Sequence, residues 1–268
     1  MKTIVITGSS RGIGYGLAKA FVEQGCQVVI SGRSQPALDA ALASLTALIG
    51  TGGGKVAAQR CDVGKTADVE ALWNAAIATF GRVDIWINNA GMVTPRVRLD
   101  ETTEADIDAI VETNLMGVIK STRVVATRML VQRGGYIYNF EGFGSDGMSA
   151  SGLTLYGTTK RAVTYFTKSA AKEFADTPVK IGLISPGIVA TDLLQAEMKD
   201  AAPAERERSM KLYNILGDRV SVVAPYIAKH ALRDNPNGAS IRWLTMPKAM
   251  GRFMTAGFVK RDIFSPEN

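Results

Sequence analysis

The chain is poor in the residues that metal and nucleophile chemistry use. It has 2 cysteines, Cys26 and Cys61, and 1 histidine, His230. Two thiols cannot build a disulfide framework, and with a single imidazole they make no zinc site. Metal-centred and Ser-His-Asp catalysis are therefore set aside, and no metal ligand is assigned. His230 ends a helix-like stretch before the last strand, where a cation suits the helix C-terminus, so its role reads as structural. No run of about 18 or more apolar residues occurs, so no integral membrane segment is expected. The N-terminus, Met1-Lys2-Thr3-Ile4-Val5, enters a strand-like run without a signal-peptide layout, which makes a cytoplasmic chain the expectation. What is present is globular: 268 residues, 46% apolar and 21% charged, which suits one domain over 1–268.

The net charge is +6, from 31 basic against 25 acidic residues, a balance that admits nucleic acid, a membrane surface or an anionic small molecule. No basic run is interleaved with aromatics, so nucleic acid is not expected as a partner. The charge gathers late in the chain. Arg242, Lys248, Arg252, Lys260 and Arg261 follow one another with no acidic residue between them, and residues 246–268 read as a basic, solvated C-terminal tail.

Short β-branched runs alternate with longer helical stretches. Strands are expected at Thr3–Thr7, Gln27–Ser31, Lys55–Arg60, Val83–Ile87, Tyr136–Phe140, Val179–Ser185 and Ser240–Leu244. Helices are expected near 12–24, 35–49, 66–80, 103–133, 154–176 and 219–233. Ile4-Val5-Ile6 and Val28-Val29-Ile30 are apolar throughout, as in strands buried on both faces. The alternation predicts an α/β fold: one Rossmann-like, doubly wound parallel sheet with helices on both faces. Two segments break the rhythm, the glycine run Gly50–Gly54 and an irregular stretch, Thr191–Gly217. The latter follows the carboxyl end of the sixth strand, where such sheets bind ligands, and is a candidate lid over 191–217.

Thr7-Gly8-Ser9-Ser10-Arg11-Gly12-Ile13-Gly14 joins the first strand to the first helix. Gly8 permits a tight turn, Gly12 lets backbone approach a pyrophosphate, and Gly14 allows close helix–strand packing. Ser10, Arg11 and Ile13 fill the same turn, whose helix N-terminus offers N–H groups and positive dipole to phosphates. The second strand ends Ser31-Gly32-Arg33, without the carboxylate that would hold a free ribose 2′-hydroxyl. A guanidinium at Arg33, helped by Arg11, suits a 2′-phosphate, so NADP(H) is expected over NAD(H).

Further motifs follow in order: Cys61-Asp62-Val63, Asn88-Asn89-Ala90-Gly91, Asn114, Tyr156-Gly157-Thr158-Thr159-Lys160, and Ser185-Pro186-Gly187-Ile188 before Thr191. Together they resemble the classical short-chain dehydrogenase/reductase family over residues 3–245. The resemblance implies a fold of the kind just derived and hydride exchange between a nicotinamide cofactor and a small-molecule carbonyl or alcohol. It implies cofactor contacts from Asp62, Val63, Asn89, Ala90, Gly91, Tyr156, Lys160, Pro186, Gly187, Ile188 and Thr191. It makes Tyr156 the proton donor, Lys160 its electrostatic partner and Asn114 the holder of a relay water. The chemistry agrees: Tyr156 and Lys160 share one helix face, and a nearby ammonium favours the phenolate. The family also often pairs its long helices between subunits. Val118, Ile119, Val124, Val125, Phe166 and Phe174 therefore suggest a homodimer or homotetramer.

One place departs from the family pattern. Its serine pair at the end of the fifth strand is replaced by Glu141 and Gly142. Ser145, or the Gly142 backbone N–H, is the expected replacement donor, and Gly142 leaves room that suits a carbonyl on a wide ring system. Asn139-Phe140-Glu141-Gly142-Phe143-Gly144-Ser145-Asp146-Gly147 and Tyr213-Asn214-Ile215-Leu216 resemble chlorophyll(ide) b reductases and their bacterial relatives. That narrower resemblance implies reduction of a ring formyl group to a hydroxymethyl. In the lid, Leu193-Leu194-Gln195-Ala196-Glu197-Met198 and Met210-Lys211-Leu212-Tyr213 offer apolar, adaptable contacts. The competing reading is a non-catalytic NADP-binding sensor on the same fold.

Overall fold

Branched side chains pack well on a pleated surface, and the 3.6-residue stretches between them coil into covering helices. The computed structural model describes residues 1–49, 54–199 and 203–265, without the side chains of Glu197, Met198, Lys199 and Glu205. In chain order the first half is β1 (Thr3–Ile6), α1 (Gly12–Glu23), β2 (Gln27–Gly32), α2 (Gln35–Ala47), β3 (Lys55–Arg60), α3 (Thr66–Phe80) and β4 (Ile85–Asn88). Then come α4 (Glu104–Val111), α5 (Gly117–Gln132), β5 (Gly135–Phe140), α6 (Thr154–Glu173) and β6 (Val179–Ser185). The chain finishes with β7 (Val189–Ala190), α7 (Asp192–Lys199), α8 (Pro203–Leu216), β8 (Asp218–Arg219), α9 (Val220–Ala231), β9 (Ser240–Arg242) and α10 (Met246–Thr255).

The main sheet runs β3-β2-β1-β4-β5-β6-β9, every pair parallel. From β1 the chain winds outward to β3, then returns to β4 on the other side of β1 and winds out to β9. A crevice opens at that reversal, beyond the carboxyl ends of β1 and β4. Ile4, Ile6, Val28 and Ile30 face Leu17 and Phe21 of α1, whereas Val5, Val29 and Trp86 face Leu72 of α3 and Val125 of α5. The alternation splits the core into two layers, one on each side of the sheet.

A polar chain crosses the second layer. The Trp86 indole N–H donates to Asn88 Oδ1 (2.8 Å) and Ser121 Oγ (2.9 Å), and Asn88 Nδ2 donates to Asn139 Oδ1 (2.8 Å). Asn139 Nδ2 then donates to Thr167 Oγ1 (2.9 Å), joining β4, β5, α5 and α6. Among the described residues no buried side-chain nitrogen or oxygen lacks a partner. A network satisfied in this way fixes the depth at which the strands end.

Three expectations need revision. The helix expected over 103–133 is interrupted by a π-type turn at Glu112–Met116. The irregular stretch Thr191–Gly217 holds the helices α7 and α8, as its Met, Glu and Ala content favours. Ala201 and Ala202, like Gly50–Gly53 of the glycine run, lie outside the described residues. Finally, Val118, Val124 and Val125, expected between subunits, are buried in the chain's own core, with Phe166 and Phe174 packed against it.

Candidate active site

The glycine-rich turn is built by exclusion. Gly8 and Gly12 have positive φ, 62° and 57°, which side chains disfavour, and a Cβ on Gly8 would stand 2.7 Å from Ala90 Cα. A Cβ on Gly14 would collide with the Gly8 carbonyl oxygen and Asn89 Nδ2. Asn89 locks the turn to β4, its Nδ2 donating to the Thr7 and Gly8 carbonyls at 2.9 Å each. Thr7 Oγ1 in turn accepts from the Asn89 and Ala90 N–H groups, both at 3.0 Å.

The donors fit a dinucleotide. Arg11, the N-cap residue of α1, makes no side-chain cap, so the first N–H groups of that helix face the crevice uncapped by it. Thr191 closes the other side, with Cγ2 3.7 Å from where a Gly12 Cβ would be. Ser10 Oγ lies 3.2 Å from the Cβ position of Gly32, and Arg33 follows exposed at the end of β2. Arg60, at the end of β3 in register with Gly32, donates from Nε to the Arg33 carbonyl (3.0 Å). Sequence reasoning missed this third guanidinium, since only strand register brings it beside Arg33. Asp62 uses Oδ1 to accept the Gly64 N–H (3.1 Å), and Val63 is buried against Gly117. Pro186 is buried, Gly187 turns with φ 70°, and the Ile188 carbonyl accepts from the Asp218 N–H (2.9 Å).

Across the crevice, α6 carries Tyr156 and Lys160 toward the end of β5. The Lys160 ammonium lies 5.7 Å from the Tyr156 ring centroid and donates to the Phe140 carbonyl at 3.3 Å. Burial pushes its pKa down to about 8, against the pull of the Glu141 carboxylate, which raises it. Glu141 is buried and accepts from Thr164 Oγ1 (3.0 Å). Gly91 joins the two walls: its Cβ position is 3.7 Å from Lys160 Nζ and 3.5 Å from Asn114 Oδ1. Asn114 is fully buried on the π-type turn, donating from Nδ2 to the Met92 carbonyl (2.9 Å) and accepting the Met92 N–H at Oδ1 (2.8 Å).

The room expected at Gly142 is taken by the tyrosine. A Cβ there would stand 2.5 Å from the Tyr156 hydroxyl and 3.2 Å from Lys160 Cγ. The two expected replacement donors are also bonded to each other, since the Gly142 N–H donates to Ser145 Oγ (3.1 Å). Ser145 is buried, with its Oγ 3.4 Å from the Lys160 carbonyl.

The C-terminal segment meets the end of α8. Asp218 is buried, accepting at Oδ2 from Arg252 (2.7 Å) and Trp243 (2.5 Å) and at Oδ1 from Arg261 (2.5 Å). Arg252 and Arg261 also bind the Leu216 and Ile215 carbonyls at the end of α8. Ile263 packs on Tyr213. Arg252, Arg261 and Ile263 thus tie the otherwise exposed C-terminal segment to the end of α8, and 266–268 lie outside the described residues. His230 holds its place at the end of α9 through Nδ1 to the Tyr226 carbonyl (2.7 Å).

A parallel sheet with a glycine-rich turn at its reversal point, and no side-chain cap from Arg11, defines a nucleotide-binding fold of the Rossmann kind. The family profile described as short chain dehydrogenase matches residues 2–202, and the chain belongs to that family. It is 37% identical over 256 residues to chlorophyll(ide) b reductase NOL of Arabidopsis thaliana, a chloroplastic protein, covering 92% of this chain and 71% of that one. Among solved structures it resembles ElxO with NADP bound, with TM-score 0.77 and 28% identity over 90% of this chain and 96% of that one. It also resembles the 3-ketoacyl-(acyl-carrier-protein) reductase of Brucella melitensis complexed with NADH, with TM-score 0.74 and 26% identity over the same shares. The chain is therefore an oxidoreductase of the short-chain dehydrogenase/reductase type. No helix among the described residues is long and apolar enough to cross a membrane.

Proposed function

We propose that this chain is an NADPH-dependent carbonyl reductase that converts the formyl group of a chlorophyll b-like or other bulky ring substrate to an alcohol. The observation that carries the reading is the buried Lys160 ammonium, 5.7 Å from the Tyr156 ring centroid and beside Gly91 of the crevice wall. When bound, the nicotinamide cofactor supplies the hydride. Tyr156 gives its phenolic proton to the carbonyl oxygen, and the Lys160 charge favours the phenolate left behind. Asn114 secures Met92 beside the pair, and Ser145 holds the turn that leaves Gly142 open to the tyrosine.

Arg33, Arg11 and Arg60, with no carboxylate ending β2, support the 2′-phosphate and hence NADPH. The bulky substrate is supported by the relative's activity and by Leu193 and Leu212, apolar side chains exposed on α7 and α8. A homodimer or homotetramer and a cytoplasmic address complete the reading. The test mixes the protein with NADPH and a panel of aldehydes from small to macrocyclic, following the loss of reduced cofactor and identifying the alcohol by mass. Consumption of NADPH with alcohol formation is expected; its absence across the panel contradicts the proposal.

A further inference from the structure

The end of the chain presents a surface that the reductase reading does not use. Helix α10 buries none of its residues. Met246, Met250 and Phe253 recur at helical spacing along it, and the stripe continues through Met254 to Phe258, which is 92% exposed. So long a run of large apolar side chains in water marks a contact surface. Beside it, between α8 and the residues after α10, a groove of about 550 Å³ is lined by Lys211, Arg252, Lys260 and Arg261. Among the described residues no carboxylate lines it; Glu207 pairs with Lys211 from outside, and Asp218 offsets one guanidinium charge from beneath. Lys248 adds a cation on α10, packed over the Trp243 ring.

Charge selects the occupant. A second copy docking by the same face would set each cationic stretch, 242–261, against its twin. A surface with fixed negative charge and an apolar interior complements both features at once. We propose that α10 and the α8–α10 groove form a peripheral docking site for anionic phospholipid bilayers, with the apolar stripe entering the acyl boundary and the groove taking a phosphate headgroup. Because Arg252 and Arg261 bind both the groove and the end of α8, docking bears directly on the lid. An apolar substrate dissolved in the bilayer would then meet the lid at the membrane.

The test sediments the full chain with vesicles of phosphatidylglycerol and phosphatidylcholine, and with vesicles of phosphatidylcholine alone, in low and high salt. No substrate is present, so failure here is separate from failure of the reductase reading. Binding to the anionic vesicles, lost in high salt, is expected. The Phe253→Asp/Phe258→Asp double variant should bind at least about tenfold more weakly, and Lys260→Glu about tenfold more weakly. Both variants should keep the native circular dichroism and the turnover of a small soluble aldehyde. No vesicle binding by the unaltered chain, or equal binding by the double variant, overturns the proposal. If the unaltered chain ignores vesicles and the double variant instead dissolves an oligomer seen by light scattering, the face belongs to a second copy.

Discussion

The crevice between β1 and β4 and the clamp at Asp218 hold their parts of the molecule by different means. In the crevice, position comes from what is absent: glycines at 8 and 14 let backbone touch backbone, and Asn89 ties the turn with neutral hydrogen bonds. Each contact there is short in space and repeated, so the geometry is over-determined. At the clamp, two guanidinium groups and an indole converge on one carboxylate, which joins the C-terminal segment to the end of α8. The first arrangement suits a site that must not move during hydride transfer. The second rests on one carboxylate, so a single substitution there removes most of what holds the segment.

Substitutions can break this contrast, and the largest effect belongs to the rigid side. Gly142→Ala would place a Cβ 2.5 Å from the Tyr156 hydroxyl, so the proton donor must shift. Turnover should fall about 10²-fold, the scale of a misplaced catalytic group, on small and large aldehydes alike. A loss confined to large aldehydes would mean that Gly142 faces substrate instead. On the other side, Asp218→Asn keeps the shape and removes the charge. Disruption of this largely buried cluster of two ion pairs should cost about 2–4 kcal/mol, since the guanidinium groups are partly exposed. Hydrogen exchange should quicken in α8 and α10 and stay slow in β1, β4 and β5. Equal loosening of both regions would erase the distinction between them.

Smaller effects sharpen it. Arg33→Asp should weaken NADPH binding by roughly 1–3 kcal/mol, as for a lost charge-assisted contact, and leave NADH little changed. Parallel titrations of the two cofactors decide it, and equal losses would count against a 2′-phosphate contact. The smallest effect is on pH dependence. Lys160 is charged below its folded-state value of about 8, so kcat/KM should decline as pH rises through that value in the free enzyme. The Glu141 carboxylate raises that value, so Glu141→Gln should move the alkaline limb to lower pH. An unmoved limb would show that another group sets it.

The same contrast explains what was legible in the amino-acid order. The strands, the glycine turn and the Tyr156/Lys160 pair are local patterns, and local patterns survive in one dimension. The differences near α8 have other causes. The Met, Glu and Ala content of 191–217 favours helix, a weak preference that the loop position outweighed in the reading. Arg252 and Arg261 looked like a solvated run because their partner, Asp218, stands 34 and 43 positions away. Arg60 came into the candidate site only through the pairing of β3 with β2. Gly142 illustrates a related limit of one dimension: a missing side chain in sequence does not say that the Tyr156 hydroxyl stands beside it.

The central claim is that Tyr156 donates the proton in an NADPH-driven carbonyl reduction. Single-turnover kinetics of the unaltered chain and of Tyr156→Phe, with NADPH affinity measured in parallel, test it most directly. The account predicts a fall in turnover of roughly 10²–10⁴-fold with cofactor affinity unchanged. Near-full activity in Tyr156→Phe would contradict it.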